Sequence, residues 1–230
     1  MTPLVLLPGH MCDTRMWAPQ VAAFSGTRTI HLPEMAGTDS MEALAAGVLA
    51  EAPPRFALAG LSRGGIVAME VLRQAPERVE RLALLDTNPL PEAEAVKADR
   101  RARMARVEGG LLDAVVMTEM KPHYLAKGLR RTDLLDLCLA MARDLGPGVF
   151  LRQSRALMDR PDQRATLATF RGPALILMGE EDRLCPLDRH RPMADLMPQA
   201  RLTIVPGAGH LPPLEQPEAT NAALRRWLDA

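Results

Sequence analysis

The chain has 230 residues, of which 28 are basic and 28 are acidic, so its formal net charge at neutral pH is zero. A neutral chain gives no electrostatic reason to expect nucleic acid or an anionic membrane surface as a partner. Its length suits one domain with room for a small insertion, and it is long enough to bury a core without disulfides or metals.

The cysteines and the amino-terminal segment indicate a cellular compartment. Cys12, Cys138 and Cys185 have no paired spacing, which indicates neither a disulfide framework nor a zinc site and suits a reducing cytosol. The apolar run at the start of the chain ends at Pro8 and Gly9, too soon for the core of a signal peptide. No other segment approaches the length of a membrane span. We therefore expect a cytoplasmic protein without a metal site.

Strands and helices are predicted to alternate along most of the chain. Apolar runs predict strands, and amphipathic segments between them predict helices. Asp39 is the predicted N-cap of the second helix, with Glu42 completing a capping box. The predicted strands are 3–9, 27–35, 56–62, 79–89, 174–182 and 201–209, and the helices are 14–24, 39–51, 64–74, 187–197 and 217–229.

Strands that are apolar throughout and alternate with helices predict an α/β fold. We expect about six mostly parallel strands with helices on both faces of the sheet. Strand signals disappear between residues 90 and 170, where a helical pattern takes over. The sequence thus predicts a core of residues 1–89 and 171–230, with an all-helical cap of residues 90–170 inserted after the fourth strand.

A lone serine lies between two glycines where the third strand meets a helix. Gly60-Leu61-Ser62-Arg63-Gly64 is a G-x-S-x-G, the pattern of a nucleophilic serine on a strained turn. A serine that merely caps the helix would require neither glycine. The required context, a strand before and a helix after, is also predicted. We therefore interpret Ser62 as a nucleophile.

Other polar residues also follow predicted strands, at the edge where a parallel sheet presents its chemistry. A serine needs a histidine base that is oriented by a carboxylate, and the order serine, acid, histidine is matched by Ser62, Asp182 and His210. The acid has alternatives on sequence position alone, which are Asp86, Glu180 and Glu181.

At these motifs the chain resembles the α/β-hydrolase superfamily. LLPGHMCDTRMW resembles its oxyanion loop, GLSRGG its nucleophile elbow, GEEDRLCP its acid turn and GAGHLPPLEQP its histidine loop. The resemblance implies a catalytic triad of Ser62, Asp182 and His210. Two features depart from the family: Pro8-Gly9 replaces the usual His-Gly, and no β-hairpin precedes the first strand. The predicted cap is similar to those of bacterial carboxylesterases, enol-lactonases and a synthase of menaquinone biosynthesis.

The resemblance also implies an oxyanion hole and a substrate pocket. The backbone N–H groups of His10 and Arg63 are the expected oxyanion donors. The His10 imidazole either lines the pocket or turns away from it. The Arg63 guanidinium either binds a substrate anion or, as we prefer, pairs with Glu70 or with the acidic turn at 180–181. Methionines are candidates for an adaptable apolar lining, namely Met11, Met117, Met120 and Met141.

These features predict a cofactor-independent serine hydrolase whose partner is a small-molecule carboxylic ester, thioester or lactone. A carbon–carbon bond hydrolase or a lyase acting on an anionic substrate is one alternative, kept open by Arg63, Arg152 and Arg155. A ligand-binding relative without activity is another, although a pure receptor has no need of a complete triad. The sequence does not indicate the physiological substrate or the oligomeric state.

Overall fold

A single parallel sheet forms the centre of the protein. The computed structural model describes residues 1–128 and 131–230. Six strands lie in the order β2-β1-β3-β4-β5-β6, and every neighbouring pair is parallel. The strands are β1 (Leu4–Leu7), β2 (Ile30–His31), β3 (Phe56–Leu61), β4 (Val79–Leu85), β5 (Ala174–Gly179) and β6 (Arg201–Val205).

Helices cover both faces of this sheet. A 3₁₀ turn at Thr14–Trp17 precedes α1, a second at Pro76–Arg78 precedes β4, and a π-helical turn at Val115–Met120 joins α5 to α6. The helices are α1 (Ala18–Phe24), α2 (Met41–Glu51), α3 (Arg63–Gln74), α4 (Glu94–Glu108), α5 (Leu112–Ala114), α6 (Lys121–Tyr124), α7 (Arg131–Met158), α8 (Arg164–Thr169), α9 (Leu187–Leu196), α10 (Pro212–Glu215) and α11 (Pro217–Asp229).

Alternate residues of the buried strands supply two hydrophobic clusters. Leu4 and Leu6 pack with Trp17 on one side of the sheet. Val5 and Leu7 pack with the helices on the other side. Because successive strand side chains point to opposite faces, a strand covered on both sides is apolar throughout. The predicted α/β class and parallel sheet are therefore confirmed.

Two local predictions differ from the structure. The second strand pairs only over Ile30–His31 and is much shorter than the predicted 27–35. The N-cap of α2 is Ser40, whose hydroxyl accepts a hydrogen bond from the Ala43 amide at 3.3 Å, so the capping box of Asp39 and Glu42 is wrong. Either short polar residue can cap a helix, and sequence alone did not distinguish these neighbours.

Between β4 and β5 the described residues form helices and no strand. The longest of them, α7, changes direction at Gly146, where φ is 79° just before Pro147. A helix breaks here because glycine readily adopts positive φ and proline offers no amide for the helical ladder. Among the described residues, no helix combines the length and hydrophobicity required to cross a bilayer.

The start of α3 lies unusually close to the strands. A Cβ atom at Gly60 would collide with the Gly64 carbonyl, and one at Gly64 would collide with the Leu7 carbonyl. Both glycines of the G-x-S-x-G are therefore required by close backbone approach, and they allow α3 to begin directly beside β1 and β3.

This crowding predicts opposite effects of two alanine substitutions. We expect Gly64→Ala to lower the free energy of unfolding by about 1–3 kcal/mol, because the methyl group overpacks the crossing. The matched control is Gly47→Ala in the exposed part of α2, where a Cβ would meet nothing within 4 Å. It should raise stability by about 0.5–1 kcal/mol, since alanine is the better helix former. Urea unfolding measures both, and equal effects would contradict the crowding argument.

Candidate active site

The backbone is strained at one edge of the sheet. In the described chain, the non-glycine residues with positive φ are Met11, Ser62 and Asp86, at 51°, 53° and 45°. They follow β1, β3 and β4, so all three lie just past the carboxyl ends of parallel strands. Strained backbone of this kind concentrates at functional sites, where surrounding contacts hold it in place.

Ser62 lies at the tip of this turn, between β3 and α3. Its amide donates to the Leu85 carbonyl at 2.9 Å, and its carbonyl accepts from the Thr87 hydroxyl at 2.8 Å. These bonds tie the turn to the neighbouring strand, while the side chain stays half-buried and lines a cleft of about 220 Å³. Among residues 1–128 and 131–230, Ser62 Oγ forms no hydrogen bond. His210 lines the same cleft.

A hydrogen bond of 2.9 Å joins His210 Nδ1 to Asp182 Oδ2. The other oxygen, Oδ1, accepts from the Leu184 and Cys185 amides at 2.8 and 3.1 Å. Burial alone would raise the pKa of Asp182, but the adjacent His210 and these donors lower that pKa to about 2. Asp182 is thus a carboxylate at neutral pH, and it fixes the orientation of the imidazole.

The loop that carries His210 is held by backbone hydrogen bonds. The His210 amide donates to the Tyr124 carbonyl at 2.6 Å, and the Tyr124 and His210 rings pack edge to face with their centroids 5.3 Å apart. The carboxylate of Glu215 accepts from the amides of Gly209, Leu211 and Ala126 at 2.7–3.0 Å. Glu215 therefore ties the histidine loop to the chain after α6.

Asp86 lies beside Asp182 but is in a different ionisation state. It is fully buried, its Oδ1 accepts from the Gly179 amide at 2.9 Å, and its Oδ2 has no donor among the described residues. Burial and the charge of Asp182 raise the pKa of Asp86 well above its usual value. Asp86 is therefore a neutral acid, and it is Asp182 that contacts His210. Among the described residues, Glu180 accepts from the Gly207 amide, and neither Glu180 nor Glu181 hydrogen-bonds to the imidazole.

Comparisons with known proteins identify the family of the chain. The family model described as "Alpha/beta hydrolase family" matches residues 4–223. The chain belongs to the alpha/beta hydrolase family. It is 31% identical to a pimeloyl-[acyl-carrier protein] methyl ester esterase from Aromatoleum aromaticum, over 94% of this chain and 93% of the relative. A namesake from Edwardsiella ictaluri is 30% identical over 98% of this chain and 93% of its own length.

A solved structure extends the similarity to the whole chain. A thermophilic esterase from Thermogutta terrifontis, with malate bound, superposes with a TM-score of 0.92 at 28% identity. The match covers 100% of this chain and 90% of that one. The protein is thus an enzyme of the hydrolase class with the α/β-hydrolase fold.

The backbone amide of His10 follows β1 and that of Arg63 begins α3, and neither has an acceptor in the part of the chain that the structure describes. The side chains diverge. His10 lines the cleft, whereas Arg63 is fully buried outside it and donates to the Met35 carbonyl at 3.2 Å. The prediction that Arg63 of this hydrolase pairs with Glu70 or with the acidic turn at 180–181 is therefore wrong. Glu70 instead pairs with Arg73, three residues further along the same helix, at 2.6 Å.

Of the four methionine candidates, Met120 lines the cleft. Met11 and Met141 are fully buried in two different hydrophobic clusters, and Met117 packs against the cluster that contains Met11. The cleft also contains residues that the sequence reasoning missed. Two of them, Arg100 and Arg103, are three positions apart on α4, a spacing that places them on one face of the helix.

Asp182, Cys185 and His210 are close enough to be considered as metal ligands, within 4.8 Å of one another. Their chemistry does not fit a metal ion. The facing atoms of Asp182 and His210 already bond to each other, and burial raises the pKa of the Cys185 thiol, so the thiolate ligand is disfavoured.

The neutral Asp86 predicts a specific pH dependence of stability. Asp86 binds its proton more tightly in the folded protein than in the unfolded chain, so folding loses stability as pH rises above the unfolded pKa near 4. Asp86→Asn removes this linkage. We expect the stability of the variant relative to wild type to rise with pH, by up to about 1.4 kcal/mol per pH unit.

Urea unfolding of both proteins between pH 5 and 8 measures this difference. Asp195→Asn, at an exposed position of α9, is the matched control and should run parallel to wild type. Parallel curves for Asp86→Asn as well would show that Asp86 is ionised in the folded protein.

Proposed function

We propose that the protein is a serine hydrolase that cleaves a small or medium carboxylic ester through an acyl-enzyme on Ser62. The observation that carries the proposal is the hydrogen bond between His210 Nδ1 and Asp182, in a cleft shared with Ser62. With Nδ1 committed to the carboxylate, Nε2 is the imidazole nitrogen left to accept the serine proton.

In the first half-reaction, Ser62 Oγ attacks the ester carbonyl carbon while its proton passes to His210 Nε2. Asp182 stabilises the imidazolium without taking the proton itself. The tetrahedral intermediate collapses, the bond to the leaving oxygen breaks, and His210 protonates the departing alcohol. A water molecule then repeats these steps on the acyl-enzyme and releases the acid. The reaction draws on these side chains and water, without a cofactor.

The amides of His10 and Arg63 are the proposed oxyanion donors. Arg63 is the first residue of α3, where backbone N–H groups lack partners within the helix and the helix dipole favours negative charge. One such donor typically contributes about 3 kcal/mol to stabilisation of the transition state. Neither amide has a hydrogen-bond acceptor among the described residues, which supports this role.

We propose residues 90–170 as a cap over the core of residues 1–89 and 171–230. In support, helices from this segment contribute Arg100, Arg103, Met120 and Phe150 to the cleft beside Ser62. Several curated relatives are named as methyl ester esterases acting on a pimeloyl group carried by acyl carrier protein. A methyl ester of a carrier-bound acyl chain therefore belongs in the first substrate panel.

The nucleophile assignment predicts covalent labelling at one residue. A fluorophosphonate should label Ser62 and none of the other serines, because a hydroxyl reacts quickly only when a base activates it. Ser62→Ala should lose ester hydrolysis by on the order of 10⁶-fold, and Asp182→Asn should lose about 10⁴-fold. Peptide mapping and initial rates on short alkyl esters provide the measurements.

Ser25→Ala, at an exposed serine that ends α1, is the matched control and should keep wild-type rates. A folded wild-type protein that is neither labelled nor active on esters would favour the lyase or ligand-binding alternatives. Activity of Ser62→Ala within tenfold of wild type would reject the serine mechanism.

A further inference from the structure

The cleft beside Ser62 concentrates positive charge in a protein that is neutral overall. The whole chain has 28 basic and 28 acidic residues. The cleft, in contrast, is lined by four guanidinium groups and one carboxylate, which are Arg100, Arg103, Arg160, Arg189 and Glu92. The excess of positive charge is therefore local, and it lies where a substrate must enter.

The one carboxylate is fully engaged by two of these arginines. Arg100 binds Glu92 in bidentate fashion, with both contacts at 2.7 Å, and Arg160 donates to the same group at 2.7 Å. Glu92 is only 5% exposed, and although burial opposes it, these arginines lower the pKa of its carboxyl group. The cluster of Glu92, Arg100 and Arg160 contains two positive charges and one negative charge, so a net positive charge remains at the cleft.

Arg103 and Arg189 have their guanidinium groups more freely available. Arg189, on α9, is exposed and forms no ion pair with any residue that the structure describes. Arg103, on α4, lies 3.6 Å from Glu119, a carboxylate that Arg106 also contacts. Neither has a hydrogen-bonded carboxylate of its own, so both can donate to an anion in the cleft.

The positive field extends to the oxyanion loop. His10 lines the cleft with a buried imidazole, and its Nε2 has no hydrogen-bond partner among the described residues. Burial, and then the charges of Arg100, Arg63, Lys121 and Arg103, lower the pKa of His10 well below its usual value. His10 is neutral for this reason, and a cationic substrate group would meet the same repulsion.

The remainder of the cleft is compact and mostly apolar. Its volume of about 220 Å³ is below the ~300–1,000 Å³ of pockets that hold drug-sized ligands. Apolar side chains supply much of the remaining lining, including Val96, Met120, Phe150, Leu157 and Leu184. A substrate that fits must combine a short hydrocarbon chain with an anionic end.

We propose that the cleft binds esters whose short acyl chain ends in a carboxylate, with Arg103 and Arg189 holding that carboxylate and the ester carbonyl at Ser62. The proposal rests on the proposed function and names its substrate class: monoesters of dicarboxylic acids. Water adds across the acyl C–O bond, so the products are a dicarboxylate and an alcohol.

Two substrates of matched shape test this preference. Ethyl hydrogen glutarate carries a carboxylate where ethyl 5-methylhexanoate carries an isopropyl group of the same branching. We expect kcat/KM to be at least tenfold higher for the glutarate, because charge-assisted hydrogen bonds form only with the anion. Ethyl 4-phosphonobutanoate is the third substrate, and if it is preferred to the glutarate, the cleft selects a phosphate-like group and the carboxylate assignment is overturned.

Arginine variants then locate the anion. Arg103→Met and Arg189→Met should each lower the ratio of kcat/KM for the glutarate over the neutral ester by at least fivefold. Arg101→Met and Arg191→Met are the matched controls, because these exposed arginines lie on the same two helices and do not line the cleft. They should leave the ratio unchanged. A ratio equally insensitive to all four substitutions would overturn the assignment to Arg103 and Arg189.

Binding separates this proposal from the catalytic one. Calorimetry with Ser62→Ala requires no turnover, and we expect the glutarate ester to bind at least tenfold more tightly than the neutral ester. An inactive wild-type protein whose Ser62→Ala form shows this preference would reject the esterase and retain the anion site. An active esterase that prefers the neutral ester would overturn the anion site alone.

Discussion

The site depends on the hydrogen bond between Asp182 and His210, which two separate loops must bring together. Backbone hydrogen bonds continue beyond the paired residues of β5 and β6. The Glu180 amide donates to the Val205 carbonyl at 2.9 Å, and the Glu181 amide donates to the Ala208 carbonyl at 2.8 Å. A Cβ atom on Gly179 would collide with the Gly209 carbonyl, so the loops approach as closely as their backbones permit. The side-chain bond is thus fixed by backbone contacts on both sides.

Two buried carboxyl groups lie at this edge, and their surroundings favour the ionised form of one and the protonated form of the other. Asp182 receives two amides and the imidazole, so it remains ionised. Asp86 receives one amide and faces the charge of Asp182, so it keeps its proton. Since two adjacent buried groups cannot both ionise without a large cost, each state depends on the other. The imidazole therefore meets a single carboxylate with a defined orientation.

Sequence patterns predicted what depends on local chemistry. Apolar runs predicted the strands of the sheet. The glycines around Ser62 predicted a tight turn, and the structure shows that a Cβ at Gly60 or Gly64 would collide with the carbonyl of Gly64 or Leu7. The direction of a long side chain could not be predicted in this way. Arg63 follows Ser62 and was expected to pair with an acidic side chain, yet its guanidinium donates to the Met35 carbonyl. Likewise, Arg100 and Arg103 reach the cleft only because of where α4 lies, which is set by tertiary packing.

The loop after β1 is held by tertiary contacts. Pro8-Gly9 stands in this chain where its family usually has His-Gly. Two residues of the segment between β4 and β5 hold this loop: Lys121 donates to the His10 carbonyl at 3.2 Å, and the Gln153 side chain accepts from the Met11 amide at 2.9 Å. Both partners are buried, so each bond is costly to break. The helices that shape the cleft therefore also set the backbone that carries the His10 amide.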